Sequence, residues 1–174
     1  MGDGKSSTDY VLHPYDWRGE EWLLLDWYHR LITSGDMVTT MTADMKHLSN
    51  FLMYFRTKVT LAYSADNDGI WFASWVEPIM SGAFFGAWIR KDKRQSPTAL
   101  KLLTQVYDEA FKVFVVLIGL SCQEQLQELH GKLGYQHLGT VPGLWDGNSV
   151  DVYTLTRSQW ESRRNHGNGT TAHK

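Results

Sequence analysis

Between Lys112 and Ser121 the chain reads VFVVLIGL, Val113 to Leu120, an unbroken apolar run rich in β-branched residues. The run is far short of the roughly 20 residues that cross a bilayer. Its composition suits a strand covered on both faces, which belongs in the middle of a sheet with helices over it. The rest of the chain must therefore supply that sheet and its covers.

The hydrophobic period provides both. Tyr10 to Pro14 alternates weakly, as a strand does. Glu20 to Ile32 places Leu24, Trp27, Tyr28 and Leu31 on one helical face, and Met41, Met45, Leu48, Leu52 and Phe55 mark a second helix. The period then changes. Lys58 to Ser64, Ile70 to Val76 and Ala83 to Ile89 are short, aromatic and β-branched, and the turn signals Asp66 to Gly69 and Pro78 to Gly82 separate them, which predicts an antiparallel meander. Ser96 is a cap and Pro97 a first helical residue for a helix whose buried face is Leu100, Leu103, Tyr107 and Ala110. Gln123 to Leu133 reads as a short helix stopped by Gly134, and Tyr135 to Val141 with Val150 to Leu155 as a closing hairpin around Pro142 to Asn148.

With 43% apolar and 13% aromatic residues over 174 positions, one core can be filled and one domain is expected. The first nine residues and the stretch from about Ser162 are too polar to bury themselves. The expected organisation is a tail over 1–9, a single domain over 10–160 and a second tail over 161–174. Because 17 Lys and Arg balance 19 Asp and Glu, no global field favours nucleic acid or an anionic membrane, and any anion site must be local. The single Cys122 excludes an internal disulfide, and the seven histidines show no ligand spacing, so no metal is expected. A polar N-terminus and the lack of a membrane span point to the cytoplasm.

One local anion site is legible. Ile89 to Leu103, IRKDKRQSPTALKLL, runs a basic loop into an amphipathic helix, offering backbone amides and a helix N-terminus. Downstream lies LHGKLGY, Leu129 to Tyr135. The order strand, two helices, three strands, helix, strand, helix, two strands resembles the GNAT superfamily of acyl-CoA-dependent N-acyltransferases. The family's Val-x-Pro-x-Tyr-Arg-Gly-x-Gly-x-Gly falls without a gap on the loop, and its Leu-Tyr-x-Lys-x-Gly-Phe is similar to Leu129 to Tyr135. The resemblance covers about Tyr10 to Arg157. It implies an α+β, GNAT-like fold: a mixed, mostly antiparallel sheet of six or seven strands, with a parallel pair of fourth and fifth strands that splay apart and about four helices. It also implies acetyl-CoA or another acyl-CoA as co-substrate, held by Ile89, Arg90, Lys91, Arg94, Gln95, Ser96, Thr98, Ala99 and Gln123.

The chain departs from that pattern at chemically important places. Gln95 and Pro97 stand where two glycines are usual, and Pro97 supplies no amide, so charge from Arg90, Lys91, Lys93 and Arg94 and the hydroxyls of Ser96 and Thr98 must compensate. The same run also reads as a solvated loop. His130 stands where many members have a tyrosine thought to protonate the departing thiolate. A histidine of ordinary pKa about 6.5 suits a base or relay better than an acid for a thiol near 8.5. Its place beside Leu126, Leu129 and Leu133 equally reads as packing.

A lysine-like amine is only about one part in 2,000 neutral at pH 7, so a base is useful. Glu77, at the end of an apolar strand, takes that role by resemblance, or is a strand-end residue facing solvent. Amides of Phe84 to Ile89 beside Gly86 suit an oxyanion hole, and Gly86 reads equally as a bulge. Tyr153 either lines the acceptor cleft or packs across strands.

Three functions follow. The first is an acyltransferase acting on an amine of a small molecule or protein. The second is a GNAT-like structural or binding component, similar to phage-encoded relatives. The third is a nucleobase-modifying member of the fold, against which the near-neutral charge counts. A homodimer is compatible with each.

Overall fold

The computed structural model describes residues 13–14, 19, 21–34, 43–65, 69–76, 79–89, 97–122, 124–145 and 147–167. In chain order these form β1 (His13–Pro14), α1 (Glu21–Ser34), a 3-10 turn (Ala43–Lys46), α2 (Leu48–Thr57), β2 (Val59–Ala65), β3 (Gly69–Val76) and β4 (Ile79–Ile89). There follow α3 (Pro97–Val113), β5 (Val116–Ser121), α4 (Glu124–Leu133), β6 (Gln136–Trp145), β7 (Asn148–Thr156) and α5 (Arg157–Gly167). The strand order is β1-β2-β3-β4-β5-β7-β6. Each neighbouring pair is antiparallel except β4 and β5, which are parallel and joined through α3, since a parallel pair needs a crossover.

Two apolar clusters cover the sheet. One joins α3, α4 and α5 to β4, β5 and β7 around Phe114, Leu117, Tyr107 and Leu155. The other packs α1 on α2 around Trp27, Phe51 and Leu24, with Val59 of β2 against it. Val59 is in register with Ser74, and Ser74 with Phe84, whereas the first cluster takes Ala83 and Phe85. Residues paired across strands share a face. The two clusters therefore sit on opposite faces of the sheet.

Four sequence expectations need correction. The second helix, expected to run from Met41 to Phe55, is broken at His47, whose extended backbone (φ -88°, ψ 124°) separates the 3-10 turn from α2. Its buried residues are Phe51 and Phe55, while Leu48 is exposed; no Gly or Pro marks the break. In α3 the buried face is Leu102, Leu103, Val106, Tyr107, Ala110 and Phe111, and Leu100 is 53% exposed. The apolar run from Val113 is two elements: α3 continues through Val113, Phe114 closes it by donating its amide to Ala110, and β5 starts at Val116.

The fourth correction is at the C-terminus, where helix rather than tail extends from residue 161 to Gly167. Thr156 and Gln159 form a reciprocal cap. Gln159 donates its amide to the Thr156 hydroxyl (3.3 Å), and Thr156 donates its amide to Gln159 Oε1 (2.8 Å). Trp160 is buried with its indole N–H on Asp108 (2.9 Å), Arg164 pairs with Asp108, and Arg163 donates to the Lys132 carbonyl.

Candidate active site

β4 and β5 are zipped by only three pairs, Gly82 with Val116, Ala83 with Leu117 and Phe84 with Ile118. β4 then continues to Ile89 along β3, and β5 continues to Ser121 along β7. The two strands part. Past that last pair, Phe85 to Trp88 of β4 and Gly119 and Leu120 of β5 have no strand partner across the gap among the described residues, an edge that can bond a ligand. α3 starts beyond the C-terminal end of β4 and α4 beyond that of β5. Both helix N-termini thus follow the strand ends at the open side of the sheet, the usual place for ligands in sheets with parallel connections.

Of the residues singled out in the sequence, Ile89 is the last of β4, partly buried against the α3 cluster. Thr98 and Ala99 lie in the first turn of α3. Glu77, Arg90, Lys91, Arg94, Gln95, Ser96 and Gln123 lie outside the described residues. Gly86 faces Phe72 in an unbroken register, so no bulge occurs there; the irregularity of that pair is at Trp75 and Val76.

His130 is in the third turn of α4. Its ring is stacked on Tyr153 (centroids 4.6 Å, interplanar angle 27°) and lies 4.8 Å from the ring of Tyr135. Its Nδ1 is buried without a hydrogen-bond partner among the described residues. Burial pushes its pKa down to about 4, so the imidazole is neutral at pH 7. A neutral ring accepts a proton or relays one; it does not supply one as an imidazolium.

Around it lies a polar cluster that sequence reasoning missed. Asp151 of β7, across from Ser121 of β5, accepts from the Thr140 hydroxyl (2.5 Å), from Gln127 of α4 and, at 3.2 Å, from His137 Nε2. The Thr140 hydroxyl first, then His137 and Gln127, hold its carboxyl below the usual range against the opposing effect of burial. Burial raises the Tyr153 hydroxyl, with the Asp151 charge adding to it. Tyr135 donates to Tyr107 at 3.2 Å; burial keeps both phenols protonated well above their ordinary range. None of this is written in local spacing. It arises from the register of β6 on β7, which brings residues 137, 140 and 151 together only after the bulge between His137 and Gly139.

Among the described residues no helix is long and apolar enough to cross a membrane, and no group of three or more His, Cys, Asp or Glu is placed to hold a metal ion. No family model matches the chain, and no curated protein matches it in sequence. Solved structures do. Spermidine N-acetyltransferase from Vibrio cholerae in complex with CoA and spermine superimposes with a TM-score of 0.65 at 13% identity, over 87% of this chain and 97% of that one. RimJ from Mycobacterium smegmatis in complex with CoA-disulfide gives 0.64 at 13%, over 90% and 88%. YncA from Salmonella typhimurium, a putative acetyltransferase with its cofactor acetyl-CoA, gives 0.63 at 13%, over 84% and 92%. With this strand order and a parallel pair that opens past Phe84 and Ile118, the chain has the GNAT fold, in a sequence far diverged from these structures.

Proposed function

We propose that this protein is an acyl-CoA-dependent N-acyltransferase, moving an acetyl or other acyl group to an amine of a small molecule or protein. The observation that carries the reading is the three-residue parallel pairing of β4 and β5, beyond which two strand edges are left open. The structural neighbours that hold CoA or acetyl-CoA support it.

In this reading the pantetheine amides bond the open edges of β4 and β5. The pyrophosphate lies against the loop after Ile89, with Arg90, Lys91, Arg94, Gln95, Ser96, Thr98 and Ala99 as its partners and Gln123 on the α4 side. Acyl-CoA supplies the thioester. Glu77, acting through a chain of waters because roughly 20 Å of strand separates the start of β4 from Gly86, takes the proton from the acceptor ammonium; the nitrogen lone pair attacks the thioester carbon, and a second N–H proton leaves as the amide forms. Backbone amides of β4 near Gly86 receive the carbonyl oxygen as it gains charge. When the C–N bond has formed and the C–S bond breaks, the sulfur leaves as thiolate and is protonated from solvent or by the proton taken from the amine. His130 stands near that sulfur as a neutral imidazole, fit to relay the proton.

Calorimetry with CoA and acetyl-CoA tests the reading. Native protein binds, and Arg94→Ala weakens binding by about tenfold or more, because a charge-assisted phosphate contact contributes about 1.5 to 3 kcal/mol. Pro97→Gly strengthens it by restoring an amide. No heat from the native chain or from Pro97→Gly overturns the transferase reading and leaves a GNAT-like binding or structural component.

A further inference from the structure

Gly119 is the first residue of β5 beyond its last pair with β4, and α4 touches the strand there. A Cβ built on Gly119 would lie 2.7 Å from His130 Nε2 and 3.3 Å from its Cδ2 and Cε1. Real Cβ atoms essentially never approach within 3.0 Å. The backbone does not ask for glycine here: Gly119 is absent from the glycines with positive φ. Space alone demands it. Nor can the ring easily withdraw, since Tyr153 is stacked on it and Tyr135 packs against it. Tyr153 is itself in register with Gly119 and also touches the ring of His137, centroids 5.0 Å apart. Tyr135 is buried and bonded to Tyr107. Strand, imidazole and two phenol rings thus interlock at the mouth of the gap.

We propose that Gly119 is a positioning residue of the acyl-CoA site: its missing side chain lets the His130 ring lie directly on β5, and this contact fixes the course of the strand where it departs from β4. The proposal rests on the acyltransferase reading for its ligand and on the packing for its mechanism. Gly119 touches no reacting atom; it acts through His130 and through the course of β5 at Gly119 and Leu120, past its last pair with β4. A side chain at 119 pushes either the ring into solvent or the strand off its course, and both spoil the spacing on which pantetheine depends.

The test compares Gly119→Ala, His130→Ala and the double variant. Three measurements are made: CoA calorimetry, amide hydrogen exchange over residues 85–89 and 119–121 without ligand, and NMR titration of His130. In Gly119→Ala, CoA affinity falls by about tenfold or more, exchange in both segments rises by about tenfold, and the expelled imidazole titrates towards its ordinary 6.5 rather than near 4. His130→Ala alone loses the contact and weakens CoA binding by about threefold to fivefold; in the double variant the methyl has room, so affinity and exchange return from the Gly119→Ala level to that of His130→Ala, a non-additive rescue.

A Gly119→Ala protein that binds CoA normally with His130 still titrating near 4 overturns the proposal. So does a double variant worse than the single, which would mean two independent packing losses. Should Gly119→Ala fail to fold, recovery of folded protein on adding His130→Ala supports the interlock, and failure to recover overturns it. If the native chain binds no CoA, the cofactor reading falls by itself, while exchange and titration still decide whether the Gly119 contact sets the gap.

Discussion

The two ends of the β4–β5 pair are built by different means. At the closed end the backbone does the joining: Val115 donates to the Ser81 carbonyl at 2.7 Å, Arg157 donates its amide to Val115 and its guanidinium to Phe114, each at 2.9 Å, and Phe114 is fully buried beneath. At the open end the β4–β5 pairing stops at Phe84 and Ile118 among the described residues, and side chains fill the space over β5, with His130 on Gly119. The difference teaches where the fold places its stability and where it leaves room for a ligand. Main-chain bonding with full burial resists change, whereas an interlock of side chains leaves backbone groups free for another molecule.

The sharpest way to break that division is to separate loss of stability from loss of turnover. Phe114→Ala removes a ring with no exposed surface, and the expected loss is about 3 to 5 kcal/mol in chemical denaturation. Glu77→Gln is expected to lower turnover by about a hundredfold or more while the melting temperature stays put, because a lost general base costs rate rather than packing. A Phe114→Ala protein within about 1 kcal/mol of native would show that the closed end is not a stability centre. Normal turnover in Glu77→Gln would remove that residue from the chemistry.

The next test uses pH and turns on His130. Its folded pKa of about 4 lies below the unfolded 6.5, so the unfolded chain binds the extra proton between those values. Stability therefore falls as pH drops from about 6.5 to 4, by an expected amount on the order of 2 kcal/mol. The groups in contact with the ring are Tyr135 and Tyr153, whose phenols stay neutral throughout that window. Asp151, with its carboxyl held below the usual range, adds a loss of the same sign at lower pH, as it protonates. His130→Phe should flatten the upper part of the profile only. An unchanged slope between pH 6.5 and 4 in that variant would mean that the imidazole is not buried as described.

How much of this was legible in the sequence follows the same division. Element order was, because helix and strand periods are local, and the parallel β4–β5 pair came with the resemblance carried by Ile89 to Leu103 and Leu129 to Tyr135. Register was not. The pairing that gathers Asp151, His137, Thr140 and Gln127 depends on a bulge between His137 and Gly139, and the demand for glycine at 119 comes from a side chain eleven residues away on another element. The break at His47 has no Gly or Pro to announce it. The apolar run from Val113 concealed a helix end because Phe114 is as buried in the turn as it would be in a strand. The start of α5 did carry a sequence signal, Thr156-x-x-Gln159, masked by the polar composition that follows it.

That cap supplies the smallest effect and a check on the closed end. Thr156 is the last residue of β7, opposite Val116 at the start of β5, so its cap joins α5 to the same corner that Arg157 ties to Phe114 and Val115. Replacing Thr156 by Ala removes the hydroxyl that accepts the Gln159 amide and leaves the backbone pairing of β7 intact. Loss of an N-cap typically costs about 1 kcal/mol. The expected result is a drop of that size in denaturation midpoint with CoA affinity unchanged, and replacing Gln159 by Ala in the same protein should add little, because the two side chains serve one reciprocal device. Full additivity of the two losses would show that they act separately. A parallel loss of CoA affinity would show that the closed corner, and not only the interlock at Gly119, sets the geometry of the open end.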